Sequence, residues 1–465
     1  MICSLQASCA VQRSDPENTC EQKVTPEAEA IEIDTNEGLA AISSTSCSRE
    51  TADSKIDWQQ SHFQPDFSFG LIADVQWADI EDGHNFAKTS IRHYRGAFQN
   101  LVEAVDWWSE INKIDNEQPS NGSGDNGTDD DEKKENGTVE FTRTCPLSFV
   151  AQLGDLLDGI NADLGQSKEA FSKALDQLDR MGPKICPSIN LVGNHELYNF
   201  DRVELAQALW LKHGNKEYYS FSPSEGWKVV VLDAYQISLI GHTQDDLRLQ
   251  EAVELIAEKN PNVSPDGASG SNWFDGIPQN SYRRRFVPFN GGYGCEQLEW
   301  LQAELEAASS KHERVILLSH VPIHPKALSR AVGGSSFVWD YDQVLEILHS
   351  VQTTDGNSIV AAILCGHDHQ GGYHLDDCGI HHVTVASPLN QGSKGSAFGV
   401  VRVFRDGMEL VGPCIDDLMP KKGGQLLKQS FVGSLGSSNR LLESIYLPFG
   451  SKLNREREHH LKKSS

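Results

Sequence analysis

Apolar residues along this chain come in short runs that stop abruptly at polar clusters. Phe67 to Ala73, Leu147 to Leu153, Ile185 to Val192, Val315 to Leu318 and Ile359 to Cys365 each read as buried strands. Tyr218 to Phe221 and Lys228 to Leu232 add two more. Between these runs the period changes. Phe98, Leu101, Val102, Val105 and Trp108 recur at helical spacing and predict a helix over about Lys88 to Asn112. Further helices are predicted near Gln166 to Met181, Asp201 to Leu211, Leu247 to Ile256, Cys295 to Ala308 and Trp339 to His349. The last third holds short strands, Gly372 to Leu375, Ile380 to Val385, Phe398 to Phe404 and Met408 to Val411, with Asp406-Gly407 as a hairpin signal. Strands alternating with helices make this an α/β chain.

Three stretches lack such a pattern. Residues 1–65 are rich in Ser, Thr, Asp and Glu and are expected to form a disordered leader. Residues 114–140 form a low-complexity Asn/Gly/Asp/Glu insertion that cannot bury a core. Residues 416–465 read as a polar tail with one apolar patch, Leu441 to Leu447, expected to be loosely docked or disordered. The catalytic domain is expected between them, over 66–415.

The chemistry lies where the strands end. Ile72-Ala73 leads into Asp74-Val75-Gln76, Leu153 into Gly154-Asp155-Leu156-Leu157-Asp158-Gly159, and Val192 into Gly193-Asn194-His195-Glu196. Leu318 leads into Ser319-His320, and Cys365 into Gly366-His367-Asp368-His369. Alpha/beta sheets bind ligands at the carboxyl ends of their strands. Carboxylate, amide and imidazole donors together suit hard or borderline divalent cations. Asp158 and Asn161 fall just past a turn and read equally well as turn caps or as substrate-facing groups.

Charge and cysteine content narrow the function. A formal charge of −26 argues against a nucleic-acid partner, which needs clustered Lys and Arg. None of the ten cysteines forms a C-x-x-C pair, so a reducing, cytoplasmic setting fits best. No run reaches the length of a membrane span, and the first ten residues have no secretory pattern. Arg283, Arg284, Arg285 and Asn290, in an irregular stretch, are the candidates for touching substrate. Arg92 and Arg95 are read as helix-surface charge. His324, in a proline-rich loop, is left outside the site.

In order, these blocks resemble the calcineurin-like metallophosphoesterase superfamily. Its usual pattern is D-x-H, GD-x-x-D, GNH-[DE], H and GH-x-H. Gln76 stands where most members have histidine, and this, with Glu81-Asp82-Gly83 and Phe289-Asn290-Gly291-Gly292, is similar to the manganese-dependent ADP-ribose/CDP-alcohol diphosphatase branch. The resemblance implies a four-layer α/β/β/α sandwich of two mixed β-sheets flanked by helices. It implies two divalent cations, Mn²⁺ first, with Mg²⁺, Zn²⁺ or Fe as alternatives. One would be held by Asp74, Gln76, Asp155 and His369, the other by Asp155, Asn194, His320 and His367. Asp155 would bridge, and His195 would protonate the leaving oxygen. Neutral Gln76 would loosen the first metal. The implied reaction is hydrolysis of the diphosphate bond in ADP-ribose or in CDP-choline and CDP-glycerol. The expected partners are small nucleoside diphosphate derivatives, with no nucleic acid and no membrane, and the chain is expected to be a monomer. Rival readings are a phosphomonoesterase, a cyclic-nucleotide phosphodiesterase, or a metal-binding scaffold.

Overall fold

The computed structural model describes residues 64–450, apart from 86–87, 117–145, 211–216, 265–271, 330–333, 392–395, 413–426 and 436–437. Apart from a few residues at their margins, the expected leader and the low-complexity insertion lie outside the described residues.

Two sheets carry the fold. The first has seven strands in the order Leu427–Leu435, Ser438–Pro448, Gly407–Gly412, Phe398–Phe404, Phe67–Ile72, Leu147–Gln152, Ser188–Asn190. The second has six, in the order Gly372–Leu375, His381–Thr384, Val360–Cys365, Arg314–Ser319, Trp227–Val231, Tyr219–Phe221. Both are mixed. Phe67–Ile72, Leu147–Gln152 and Ser188–Asn190 run parallel, as do His381–Thr384, Val360–Cys365, Arg314–Ser319 and Trp227–Val231. Parallel strands covered on both faces read as largely apolar runs, which is why Phe67–Ile72, Leu147–Gln152, Arg314–Ser319 and Val360–Cys365 stand out in the sequence.

Each central strand divides its side chains between two cores. Phe67, Phe69, Leu71, Phe149, Ala151, Ile316, Leu318, Leu364, Val401 and Val403 pack together between the sheets. The Phe69 and Phe149 rings stack at 4.7 Å. The alternate residues Ile72, Val150, Val315, Leu317 and Ile363 join an outer cluster with helix residues Leu101, Val105, Trp108, Leu301, Leu305, Val344 and Leu348. Each such aliphatic side chain contributes about 1.5–3 kcal/mol on burial. The helix bearing Trp108 lies so close that a Cβ on Gly70 would stand 2.8 Å from the indole. Sheets inside and helices outside give the expected four-layer sandwich.

Two expectations change. The first helix spans Tyr94–Asn116, and Ile91–Arg92 instead pairs antiparallel with Gly83–His84, so Arg92 precedes the helix. The segment expected as a loose tail supplies two strands. Ser438–Pro448 pairs antiparallel with Gly407–Gly412, and Leu427–Leu435 pairs with it in turn. The physical reason is the bare edge that the Gly407–Gly412 strand would otherwise present. Ile445, Leu447 and Phe449 also enter the inter-sheet core. Among the described residues, no helix is long and apolar enough to cross a membrane.

Candidate dimetal active site

The turns after the parallel strands of the first sheet run side by side. Asp74 N–H donates to the Gly154 carbonyl at 3.0 Å, Gln76 N–H to that of Asp155 at 2.8 Å, and Asp158 N–H to that of Trp77 at 3.0 Å. This ladder sets Asp74 and Gln76 against Asp155. The turns are tight. Asp74, Gln76, Asp155 and His367 have φ of 52°, 45°, 57° and 68°. Such left-handed backbone costs a non-glycine residue about 1–3 kcal/mol and concentrates where function needs it. Close approach also demands glycine. A Cβ on Gly193 would lie 2.1 Å from Asp155 Oδ1, and one on Gly366 would lie 2.5 Å from Asp74 Oδ2.

Two groups of donor atoms converge here. Asp74, Asp155 and His369 form one, and Asp155, His320 and His367 the other, each with donors within 4.8 Å of one another. Asp155 belongs to both. Its Oδ2 lies 3.4 Å from His320 Nε2 and 3.1 Å from the Gln76 amide nitrogen, while its Oδ1 accepts from His195 N–H at 2.8 Å. Outer bonds fix the tautomers. His320 Nδ1 is 2.8 Å from the Leu153 carbonyl, so its proton sits there and Nε2 is left to ligate. His367 Nε2 is 2.8 Å from Asn290 Oδ1, which leaves His367 Nδ1 facing His320 Nε2 at 3.2 Å. Two lone-pair nitrogens that close repel unless a cation or proton lies between them.

The electrostatics point the same way. Burial pushes the Asp74 carboxyl well above the usual range, against the pull of His320. Burial works equally against ionised Asp155, yet His320, His195 and His367 hold that carboxyl far below its ordinary value. His320 is driven up to about 9, because Asp155 and Asp74 outweigh its burial. Burial and Asp155 raise Glu196 to about 7. A pocket that holds a proton on His320 this firmly is one that calls for positive charge. Gln76 supplies a further sign of fit. Its Oε1 is buried without a hydrogen-bond partner, while its Nε2 lies 2.8 Å from His369 Nε2. Oxygen and nitrogen are interchangeable by rotating the amide, and the rotated form puts an oxygen among the other donors.

Asn194 is buried, and its Oδ1 accepts from Tyr235 O–H at 3.2 Å. His195 Nδ1 accepts the Gly159 N–H at 2.7 Å and lies 3.5 Å from Asp158 Oδ2. Asp158 thus faces His195, whereas Asn161 braces the turn through the carbonyls of Trp77 and Asp158. Arg92, expected as helix-surface charge, instead bonds Asp158 Oδ2 at 3.1 Å from a half-buried position. Glu196 accepts from the backbone N–H groups of Asp155, Leu156 and Gly193 at 2.6–2.8 Å and ties the two loops together. The acid at the end of Gly-Asn-His-Glu was its signal in the sequence.

The residues expected to touch substrate sit differently. Asn290 is fully buried, and beyond His367 its amide donates to the Arg285 and Ser335 carbonyls. Arg285 lies over Phe286 and Tyr341 and donates to the Trp339 carbonyl at 2.7 Å. Arg283 is exposed and bonds the Lys259 carbonyl at 2.9 Å. Asn290 therefore orients His367, and both arginines are engaged by protein groups.

Paired sheets with convergent donors at the strand ends describe a metal-dependent phosphoesterase. The Calcineurin-like phosphoesterase family profile matches residues 67–371, and the chain belongs to that family. It is 34% identical over 351 residues to the manganese-dependent ADP-ribose/CDP-alcohol diphosphatase of Arabidopsis thaliana, covering 75% of this chain and 94% of that one. The Homo sapiens protein of the same name is 31% identical, covering 74% and 90%. A dimetal phosphatase crystal structure from Danio rerio aligns with a TM-score of 0.58 at 31% identity, over 75% of this chain and 96% of that one.

Proposed function

We propose that this enzyme hydrolyses the diphosphate bond of ADP-ribose and of CDP-alcohols such as CDP-choline and CDP-glycerol. The products are AMP with ribose 5-phosphate, or CMP with the phosphorylated alcohol. The observation that carries the reading is the pair of donor groups sharing Asp155, in a chain whose relatives bear that activity in their names.

Asp74, Gln76, Asp155 and His369 would hold one divalent cation, and Asp155, Asn194, His320 and His367 the other. Mn²⁺ is favoured by the mixed carboxylate, amide and imidazole donors and by the relatives' names. Bound there, two such ions would supply charge stabilisation for the phosphoryl group and a water of lowered pKa. The protein's own part is geometric and protic. Asn290 Oδ1 and the Leu153 carbonyl take the outer N–H groups of His367 and His320 and so turn the inner nitrogens toward the cation position. His195 serves the leaving oxygen through Nε2. Two neighbours compete at its Nδ1, the Gly159 N–H and Asp158 Oδ2. Only the carboxylate can accept a proton, so a shift of the ring toward Asp158 stabilises the imidazolium that donates.

The substrate is a small nucleoside diphosphate derivative, and the protein acts as a cytoplasmic monomer. Cys186 and Cys365 are thiols buried in the apolar core, which supports a reducing compartment. The catalytic unit takes in 66–415 together with the C-terminal strands.

Steady-state release of AMP from ADP-ribose and of CMP from CDP-choline, with Mn²⁺ or Mg²⁺, tests this. Metal-dependent release that disappears in Asp155→Ala is expected. Turnover of a phosphomonoester or 2′,3′-cyclic nucleotide, with neither diphosphate cleaved, would overturn the substrate. Inertness toward all of them would replace the enzyme by a scaffold.

A further inference from the structure

Away from the candidate dimetal site, three histidines gather on the outer strands of the second sheet. His374 and His382 are direct cross-strand partners in the antiparallel pair Gly372–Leu375 and His381–Thr384. Partners in such a pair present their side chains on one face with Cβ atoms about 5 Å apart. His324, from the loop after the Arg314–Ser319 strand, lies over both. Its ring centroid is 4.3 Å from that of His374 and 4.8 Å from that of His382. Imidazoles this close repel one another when charged, which disfavours their protonation. Burial and the other two rings push His324 down to about 3, and burial and His382 lower His374.

His382 is organised as metal-bound histidines are. Its Nε2 lies 3.1 Å from Asp376 Oδ2, and that oxygen also sits 2.9 Å from His349 Nε2. The other Asp376 oxygen accepts backbone N–H groups from Cys378 and Ile380, so the carboxylate is fixed in place. A carboxylate on one ring nitrogen makes the other the lone-pair donor. That nitrogen, His382 Nδ1, is buried and has no hydrogen-bond partner among the described residues, on a side chain only 2% exposed. His324 and His374 are partly exposed and leave an entry path.

We propose that His324, His374 and His382 bind one borderline transition-metal ion of the Zn²⁺, Co²⁺, Ni²⁺ or Cu²⁺ type, separate from the two ions of the candidate active site. An all-imidazole donor set suits these ions and disfavours Mn²⁺ and Mg²⁺. The rings stack here, and among the described residues the donors that already converge on a point are those of the dimetal groups. Binding therefore requires ring rotations. His324 Nδ1, which accepts the Lys326 N–H at 3.1 Å, either gives up that bond or ligates through Nε2.

The test counts metal. Wild-type, His374→Ala and His324→Ala proteins are saturated with Zn²⁺, desalted and measured by elemental analysis, with Zn²⁺ titration calorimetry alongside. Both substituted positions are partly exposed, and circular dichroism checks that each variant folds. The wild type should retain one tightly held Zn²⁺ per chain more than either variant, while Mn²⁺-supported activity is the same in all three. A wild-type count equal to that of either folded variant would overturn the proposal. The count is independent of which substrate the enzyme cleaves.

Discussion

Residue by residue, the proposed mechanism separates holding metal from moving a proton. Asp155 takes part in both donor groups, so Asp155→Ala should lower bound metal from two ions toward none. Turnover should fall more than about 10³-fold, since several kcal/mol of charge stabilisation go with the ions. His195 belongs to neither group. His195→Ala should lower kcat about 10²–10⁴-fold while elemental analysis still finds two ions. Loss of metal in that variant would assign His195 a structural part instead. Gln76 allows an opposite test. Histidine tolerates the left-handed backbone found there better than most residues, so Gln76→His should fold. An imidazole in place of a neutral amide should lower the dissociation constant of the first cation, read by Mn²⁺ titration calorimetry. Unchanged affinity would mean that Gln76 does not ligate.

At the scale of elements, parallel strands end at one lip and hand their turns to one another. The 73–77 and 154–158 turns bond backbone to backbone, and Glu196 staples the second to the start of the Asn194–Asn199 helix. Gly193 lets that helix start pass against Asp155. Gly193→Ala should cost at least about 1–3 kcal/mol through this clash. It should lower the melting temperature and weaken Mn²⁺ binding together, because backbone and side-chain atoms of Asp155 both stand in the way. A variant with lowered Tm and wild-type metal affinity would show that the helix start yields rather than the ligand. The strand pattern was readable in sequence because each central strand is mostly apolar and buried on both faces. The Ile91–Arg92 strand was not, since two residues carry no periodicity, and Arg92 was accordingly read as helix surface. The ladder with Gly83–His84 that precedes the helix puts Arg92 on Asp158.

Across the whole molecule, the closing strand joins the sheets through one buried histidine. His381, on the second sheet, has Nε2 2.8 Å from the Pro448 carbonyl and Nδ1 2.9 Å from Tyr373 O–H. Burial lowers this imidazole to about 4, the Pro448 carbonyl only partly opposing it. The unfolded chain, with an ordinary value near 6.5, takes up the proton first. His381 therefore adds stability above about pH 6.5 that is lost as pH falls toward 4, roughly 3 kcal/mol across that window. Urea midpoints at pH 7 and pH 4.5 should differ less in His381→Gln than in the wild type. Equal differences would remove His381 from the acid response.

Some of this protein was settled by its order of residues alone. Apolar runs of strand length ending in Asp, His, Asn and Gln carried the fold class and the candidate ligands, because burial and ligand chemistry each restrict residue type at single positions. Tertiary structure decided whatever depends on residues far apart in the chain. That Asn290 serves His367, that Arg92 reaches Asp158, that Ser438–Pro448 completes a sheet, and that His324 lies over His374 and His382 are all contacts across long separations. Local pattern holds no record of such contacts, since they arise only when strands pair and loops are brought to one lip.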